Sequence, residues 1–454
     1  MRIKITLFLS TFAFGLQMLN AQINPVISGW LQNTSVTGRH YVSGNPTPFT
    51  DATLVNCQTV QYSSSWVYVS TRGIPSYITG PFLDGNPSLA SDQNAIFKFP
   101  LAPVQNTSTP ISTTGGNIGV FINGVALFDY RDGVSWQNST GSLKGGPLGG
   151  MGDGVWNRDA VVGERIGFDC SKGHPAMGNY HHHQNPSAFK LDLAVISTVC
   201  VIYNADGLYA IDSTVHSPLI GFAYDGFPIY GAYGYKNADG TGGIVRMKSS
   251  YALRSITVRT TYAGSTVAVT PGPNVSTTYP LGYFREDYQY NTTSTLTPDY
   301  LDDHNGRFCV TPEYPAGTYC YFATVDKNWN SAYPYAVGPT FYGTKVAVKV
   351  TSITESTTTY TSSAAGINNT EVAISAKVFP NPASDMIIVQ INNLNKINLD
   401  VELVDITGKL VQKTILYQGS TLAYFDLKTI YDEEYIVKVS DGNTVLNKKI
   451  IVRR

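Results

Sequence analysis

Gly119-Val120-Phe121-Ile122-Asn123-Gly124-Val125 opens a short apolar run that reaches Leu127, and runs of this kind decide the fold class. Val67-Tyr68-Val69, Ala95-Ile96-Phe97-Lys98-Phe99, Ile220 through Ala223 and Tyr319 through Thr324 are similarly short and apolar or aromatic. Turns rich in Gly, Pro and Asn separate them, which is the pattern of short strands. No sustained helical stripe interrupts the series; 248–253 and 101–104 are the only candidates for short helical turns. The expectation is an all-β chain: a large irregular β-sandwich followed by a small Ig-like β-sandwich.

Composition narrows the function. Lys plus Arg number 31 and Asp plus Glu 32 in 454 residues, a net charge of -1, so the basic excess of a nucleic-acid-binding domain is missing. Charged residues are only 14%, while Tyr reaches 30 copies and Gly and Pro 42 and 24, as in an exported β protein. At 43% hydrophobic content the chain can fill a core, which excludes disorder throughout.

The N-terminus reads as a secretory signal over 1–21: basic Arg2 and Lys4, an apolar run from Ile5 through Leu16, and Ala21 before Gln22. The run is too short for a comfortable bilayer crossing, and no other stretch is long and apolar enough, so the mature chain is expected to have no transmembrane segment. A β domain is then expected over 22–350, a Ser/Thr-rich linker over 351–372 with no periodic apolar face, and a C-terminal domain over 373–454.

That last domain opens with Val378-Phe379-Pro380-Asn381-Pro382. Met386-Ile387-Ile388-Val389 and Val401-Glu402-Leu403-Val404-Asp405 follow, then a Thr407-Gly408 turn, Tyr435-Ile436-Val437-Lys438-Val439 and a basic end at Arg453-Arg454. It resembles the C-terminal sorting domain of the type IX secretion system. Glu433-Glu434 stand where a Gly is usual. The resemblance implies the type IX machinery as partner, and export to the medium or the outer surface of a Gram-negative bacterium, with the domain removed on arrival.

Five cysteines remain after signal removal: Cys57, Cys170, Cys200, Cys309 and Cys320. Export allows disulfides, and an odd number leaves at least one thiol over. Spacing does not fix connectivity. The expected pairs are Cys170–Cys200 and Cys57–Cys309, with Cys320 left over; five buried small side chains are the alternative.

Four of the seven histidines fall inside ten residues, in Gly173-His174-Pro175-Ala176-Met177-Gly178-Asn179-Tyr180-His181-His182-His183. A strand fits between Gly178 and Pro186, and alternation sends His181 and His183 to one face and His182 to the other. Two imidazoles on one face suit Zn or Cu. His174 is the candidate third ligand, returning through the Pro175–Gly178 turn, and Asp169 a fourth ligand or a residue orienting a ring. Structural histidines bonded to backbone are the competing reading.

Tyr180-His181-His182-His183, preceded by Gly173-His174-Pro175, resembles the YHYH family, named for that motif, with His182 where the name has a second Tyr. Asn56-Cys57-Gln58, Gly119 through Val125, Gly221 through Gly231 and Leu301 through Phe322 extend the resemblance across most of 25–345. It supplies no activity.

An internal echo needs no family. Asp169…Gly173-His174 and Tyr180-His181-His182-His183 parallel Asp302…Gly306-Arg307 and Tyr319-Cys320-Tyr321-Phe322. Two related hairpins are expected, only one with imidazoles, packed so that His304 or Cys320 could approach the cluster. Asp225 reads as a tight-turn residue before Phe227 and Tyr230, with a pocket role as the lesser alternative. Asp239 belongs to a surface turn, and Asp302-Asp303 point to opposite faces. No Gly-x-Ser-x-Gly elbow, His-Glu-x-x-His or phosphate loop is present, so enzyme status stays open. The leading reading is secreted transition-metal binding; the alternative is surface adhesion through tyrosine-rich strands.

Overall fold

The structure is a computed structural model describing residues 23–45, 47–82, 88–146, 149–169, 171–186, 213–292, 297–327, 330–346, 348–361, 375–391, 398–417, 420–441 and 445–454. The signal segment at 1–21, the linker beyond 361 and the Cys170–Cys200 pairing lie outside them.

The chain is all-β. Its central element is an eight-stranded sheet of β1 (Asn117–Phe121), β2 (Ala126–Phe128), β3 (Gly173–Ala176), β4 (Asn179–His182), β5 (Leu219–Ala223), β6 (Pro228–Tyr230), β7 (Gly306–Cys309) and β8 (Thr318–Phe322), ordered β3-β4-β2-β1-β5-β6-β8-β7. β5 is buried at every residue, as its continuous apolar run demands of a strand covered on both faces. A five-stranded sheet built from Val348–Val350, Ala95–Pro100, Trp66–Thr71, Cys57–Tyr62 and Thr358–Tyr360 packs over it. In Ala95–Pro100, Ala95, Phe97 and Phe99 point inward, while Lys98 lies outside over the Trp66 ring at 4.0 Å. Phe99 meets Phe222 at 6.1 Å and Trp30 at 5.3 Å between ring centroids, and this is where the two sheets share a core.

The central sheet has an internal two-fold arrangement. β1 pairs with β5 antiparallel through Gly119–Ala223, Val120–Phe222 and Phe121–Gly221, a register symmetric about Val120–Phe222. Outward from that axis the pairings repeat. Asn117–Phe128, Gly119–Leu127 and Val120–Ala126 in β1–β2 match Leu219–Tyr230, Gly221–Ile229 and Phe222–Pro228 in β5–β6, each with one irregularity after the first pair. β4 joins β2 in parallel, and β8 joins β6 in parallel. The terminal hairpins agree pair for pair: Gly173–His182, His174–His181 and Pro175–Tyr180 correspond to Gly306–Tyr321, Arg307–Cys320 and Phe308–Tyr319.

The reason for the repeat lies in the turns. Asp169 accepts from the Ser171 and Gly173 amides and from the Tyr180 hydroxyl at 2.8 Å; Asp302 accepts from the His304 and Gly306 amides and from the Tyr319 hydroxyl at 2.9 Å. Each phenol lies against the glycine opposite. A Cβ on Gly173 would sit 2.3 Å from the Tyr180 oxygen, and one on Gly306 2.4 Å from that of Tyr319, so neither position has room for a side chain.

Several expectations change. The hairpins occupy opposite edges of the sheet, so His304 and Cys320 stay away from the His cluster. His304 bonds Thr340 instead. Residues 251–253 form a strand paired with Tyr288–Tyr290, because aromatic cross-strand packing outweighs local helical turns. Part of the Ser/Thr-rich stretch, Thr358–Tyr360, is a strand pairing with Cys57–Tyr62 rather than tether. Cys57 does not pair with Cys309: both are free and buried, Cys57 lies 3.6 Å from the Ile122 carbonyl, and Cys309 neighbours Cys320 across the β7–β8 hairpin.

The C-terminal region carries sheets of three strands (Ala376–Phe379, Met386–Ile391, Leu422–Asp426) and four (Leu399–Asp405, Leu410–Leu416, Glu434–Ser440, Val445–Ile451) around a core of its own. Ile388 and Leu422 turn away from that core to join the larger one. Among the described residues no helix is long and apolar enough to cross a membrane.

Candidate metal centre

His174 on β3 and His181 on β4 are register partners, so the hairpin turn itself places their imidazoles side by side, with ring centroids 4.5 Å apart. His183 follows β4 by one residue and keeps to the same face, its Nε2 3.0 Å from that of His181. Glu164 arrives from elsewhere: it links the one-turn helix Ala160–Gly163, capped by Asp159, to a 3-10 turn at Arg165–Gly167. One carboxylate oxygen, Oε2, stands 3.2 Å from His174 Nε2 and 3.0 Å from His183 Nε2. The four donor atoms lie within 4.8 Å of one another. All three imidazoles are buried.

The outer nitrogens decide what the inner ones are. His181 Nδ1 donates to the Asn179 carbonyl at 2.9 Å, and His183 Nδ1 to the Asp129 carbonyl at 2.5 Å. A carbonyl only accepts, so each Nδ1 carries hydrogen and each neutral ring turns an Nε2 lone pair to the centre. Glu164 Oε2 adds another acceptor. Despite their closeness, Glu164 Oε2 and His174 Nε2 have no partner with hydrogen-bond geometry. Buried acceptors aimed at one point, with backbone carbonyls fixing the rings from behind, are what a cation requires.

Burial would raise the Glu164 carboxyl, but His174 and His183 outweigh it and hold the group well below the usual carboxylate range. Burial opposes charge on His183, yet Glu164 prevails and raises its pKa. Burial, joined by repulsion from His183 and His174, pushes His181 well below its ordinary value. Glu164 thus favours a proton on His183, while burial and the neighbouring rings disfavour one on His181. Phe128 stacks on His181 at 3.8 Å, and Phe168 stands edge-on to His174 at 4.9 Å, giving the cluster apolar walls.

His182 takes the other face. Its Nε2 meets the Tyr77 hydroxyl at 2.6 Å, it packs edge-on against Phe121, and burial lowers its pKa to about 3. Asp169 is outside the convergent set. Its oxygens are occupied by the hairpin amides, the Gly80 amide and Tyr180, and burial pushes its carboxyl up to about 7. Asp225 is a turn residue, accepting from the Tyr321 hydroxyl and the Gly343 amide. Sequence reasoning missed Glu164. The available signal was its rarity: it is the only glutamate before Glu286.

Residues 96–334 match the family model described as YHYH protein, and residues 377–453 match that of the secretion system C-terminal sorting domain. No curated protein matches the chain. The crystal structure of dimeric latent PorU from Porphyromonas gingivalis is similar over 17% of this chain and 9% of its own, at 24% identity and a TM-score of 0.15, which carries no argument. The YHYH match spans more than half of the chain and contains the whole His cluster, so the chain belongs to the YHYH protein family and ends in a secretion sorting domain that marks it as secreted or cell-surface.

Proposed function

We propose that this protein binds one divalent transition metal, Zn or Cu, through His174, His181, His183 and Glu164, after export through the type IX machinery of a Gram-negative bacterium. The observation that carries the reading is the convergence of three Nε2 atoms and one carboxylate oxygen with the His181 and His183 Nδ1 atoms already spent on carbonyls. Three nitrogens and one oxygen form a four-coordinate set suited to Zn or Cu and poorly suited to Ca or Mg, which prefer oxygen. The tyrosine-rich adhesion reading cannot draw on Tyr77, Tyr130, Tyr180, Tyr230, Tyr319 or Tyr321, which are among the largest fully buried side chains. Calorimetric titration of tag-free protein with Zn and Cu tests the proposal: about one equivalent should bind the wild type, and Glu164→Gln should weaken it. Equal affinity in wild type and a His174→Ala/His181→Ala/His183→Ala variant would refute it.

A further inference from the structure

The second terminal hairpin has chemistry of its own. Cys320 stands where its counterpart has His181, Arg307 where it has His174, and Cys309 where it has Ala176. Cys309 is in register with Thr318 and Cys320 with Arg307, so the cysteines are diagonal neighbours on one face of the hairpin. Both are buried, Cys320 Sγ lies 3.6 Å from the Thr318 carbonyl opposite Cys309, and each thiol shifts the titration of the other. The loop between their strands, 310–317, is tied back by the Tyr230 hydroxyl, which lies 2.9 Å from both Thr311 Oγ1 and Glu313 Oε2. Two neighbouring thiols in a protein marked for export meet an oxidising compartment.

We propose that Cys309 and Cys320 close a disulfide in the exported protein and staple the 310–317 loop to the sheet edge. This proposal is independent of metal binding. The oxidant is a protein or low-molecular-weight disulfide. The Cys309 thiolate attacks one of its sulfurs, breaking that S–S bond, releasing one thiolate and forming a mixed disulfide. Cys320 then loses its proton and attacks the Cys309 sulfur, forming the intrachain S–S bond and expelling the second thiolate. The two cysteines give up two protons and two electrons; the oxidant takes the electrons and ends as two thiols. The Cys320 thiol holds Cys309 down to about 7 despite burial, and Arg307 adds to the effect, which makes Cys309 the attacking sulfur. Diagonal neighbours sit near the upper limit of disulfide reach, so closure requires the two strands to draw together locally.

The test uses full-length protein expressed with its export signals and recovered outside the cell. It is denatured in an alkylating agent without reductant, digested and analysed by mass spectrometry, with Cys57 as an internal control for a reactive thiol. The expected result is Cys57 alkylated, and the Cys309 and Cys320 peptides joined, two hydrogens lighter than the separate thiols. Reduction should then release Cys309 and Cys320 for alkylation. Alkylation of Cys309 and Cys320 without reduction would overturn the proposal, and so would the same result with a stoichiometric soft metal such as Cu(I) held between the thiols. Cys309→Ser, if it folds, should leave Cys320 alkylated without reductant; a Cys320 still resistant, or joined to Cys57, would count against the assignment.

Discussion

The two terminal hairpins of the central sheet share a frame and differ in what they carry. Both are held by an aspartate that accepts two turn amides and a tyrosine hydroxyl across a glycine. On that frame one hairpin presents His174, His181 and His183, and the other Arg307, Cys320 and Phe322. The buried polar turn specifies the backbone, and the positions facing away from it are left to chemistry. The deeper contacts show the same division. Tyr321 reaches the Asp225 turn directly, whereas its counterpart His182 relies on Tyr77 to supply the phenol.

The largest test of this contrast removes the imidazoles. His181→Ala/His183→Ala should lower metal affinity by more than the roughly 10–100-fold typical of losing an outer partner, as read by calorimetry. Cys320→Ala should leave affinity unchanged, because its hairpin lies at the other edge. The shared frame is tested next. Tyr180→Phe and Tyr319→Phe each remove a donor from a carboxylate, fully buried for Asp169 and half-buried for Asp302, and each should cost about 1.5–3 kcal/mol in urea unfolding. The double variant should be additive within about 0.5 kcal/mol. A large cost on one side alone would break the equivalence.

Acid gives a graded effect. Ligating imidazoles must be neutral, and Glu164 raises the His183 pKa above its ordinary value, so metal affinity should begin to fall while the pH is still above about 6.5. In the metal-free protein the signs are opposite for the two partners. The raised His183 pKa gives stability that is complete below the unfolded value and lost as pH rises through the folded one. The depressed Glu164 pKa gives stability present above its unfolded value and lost as pH falls through the folded one. Denaturation of metal-free protein should therefore show the pair's contribution between those limits, and Glu164→Gln should flatten it. The smallest effect belongs to His182→Ala, which should change metal affinity by less than about tenfold while lowering stability, because that ring faces Tyr77.

Local periodicity made much of this legible. Alternation put His181 and His183 on one face, and the Asp–Gly–Tyr order disclosed the paired hairpins. Strand order was not legible, because which edges meet is settled by contacts distant in sequence. That is why the echo by itself points Cys320 toward the histidines, and the sheet order does not. Glu164 was hidden for the same reason: it reaches the cluster from a separate turn, in no spacing motif with His174. Cysteine parity showed that a thiol was left over but could not show that Cys309 sits beside Cys320 instead of Cys57.

The parallel pairings of β4 with β2 and of β8 with β6 bear on the order of folding. The β1–β2 and β5–β6 hairpins close locally and can form early, and so can each terminal hairpin. A parallel pairing must wait for the long excursion before it to close, which makes it slow. His174 and His181 meet as soon as their hairpin forms, but Glu164 lies within that excursion and the Asp129 carbonyl at its start. A nascent chain therefore offers a metal two imidazoles first and the full set only after β4 has joined β2. Full-strength binding reports that this non-local step, the docking of β4 on β2, has occurred.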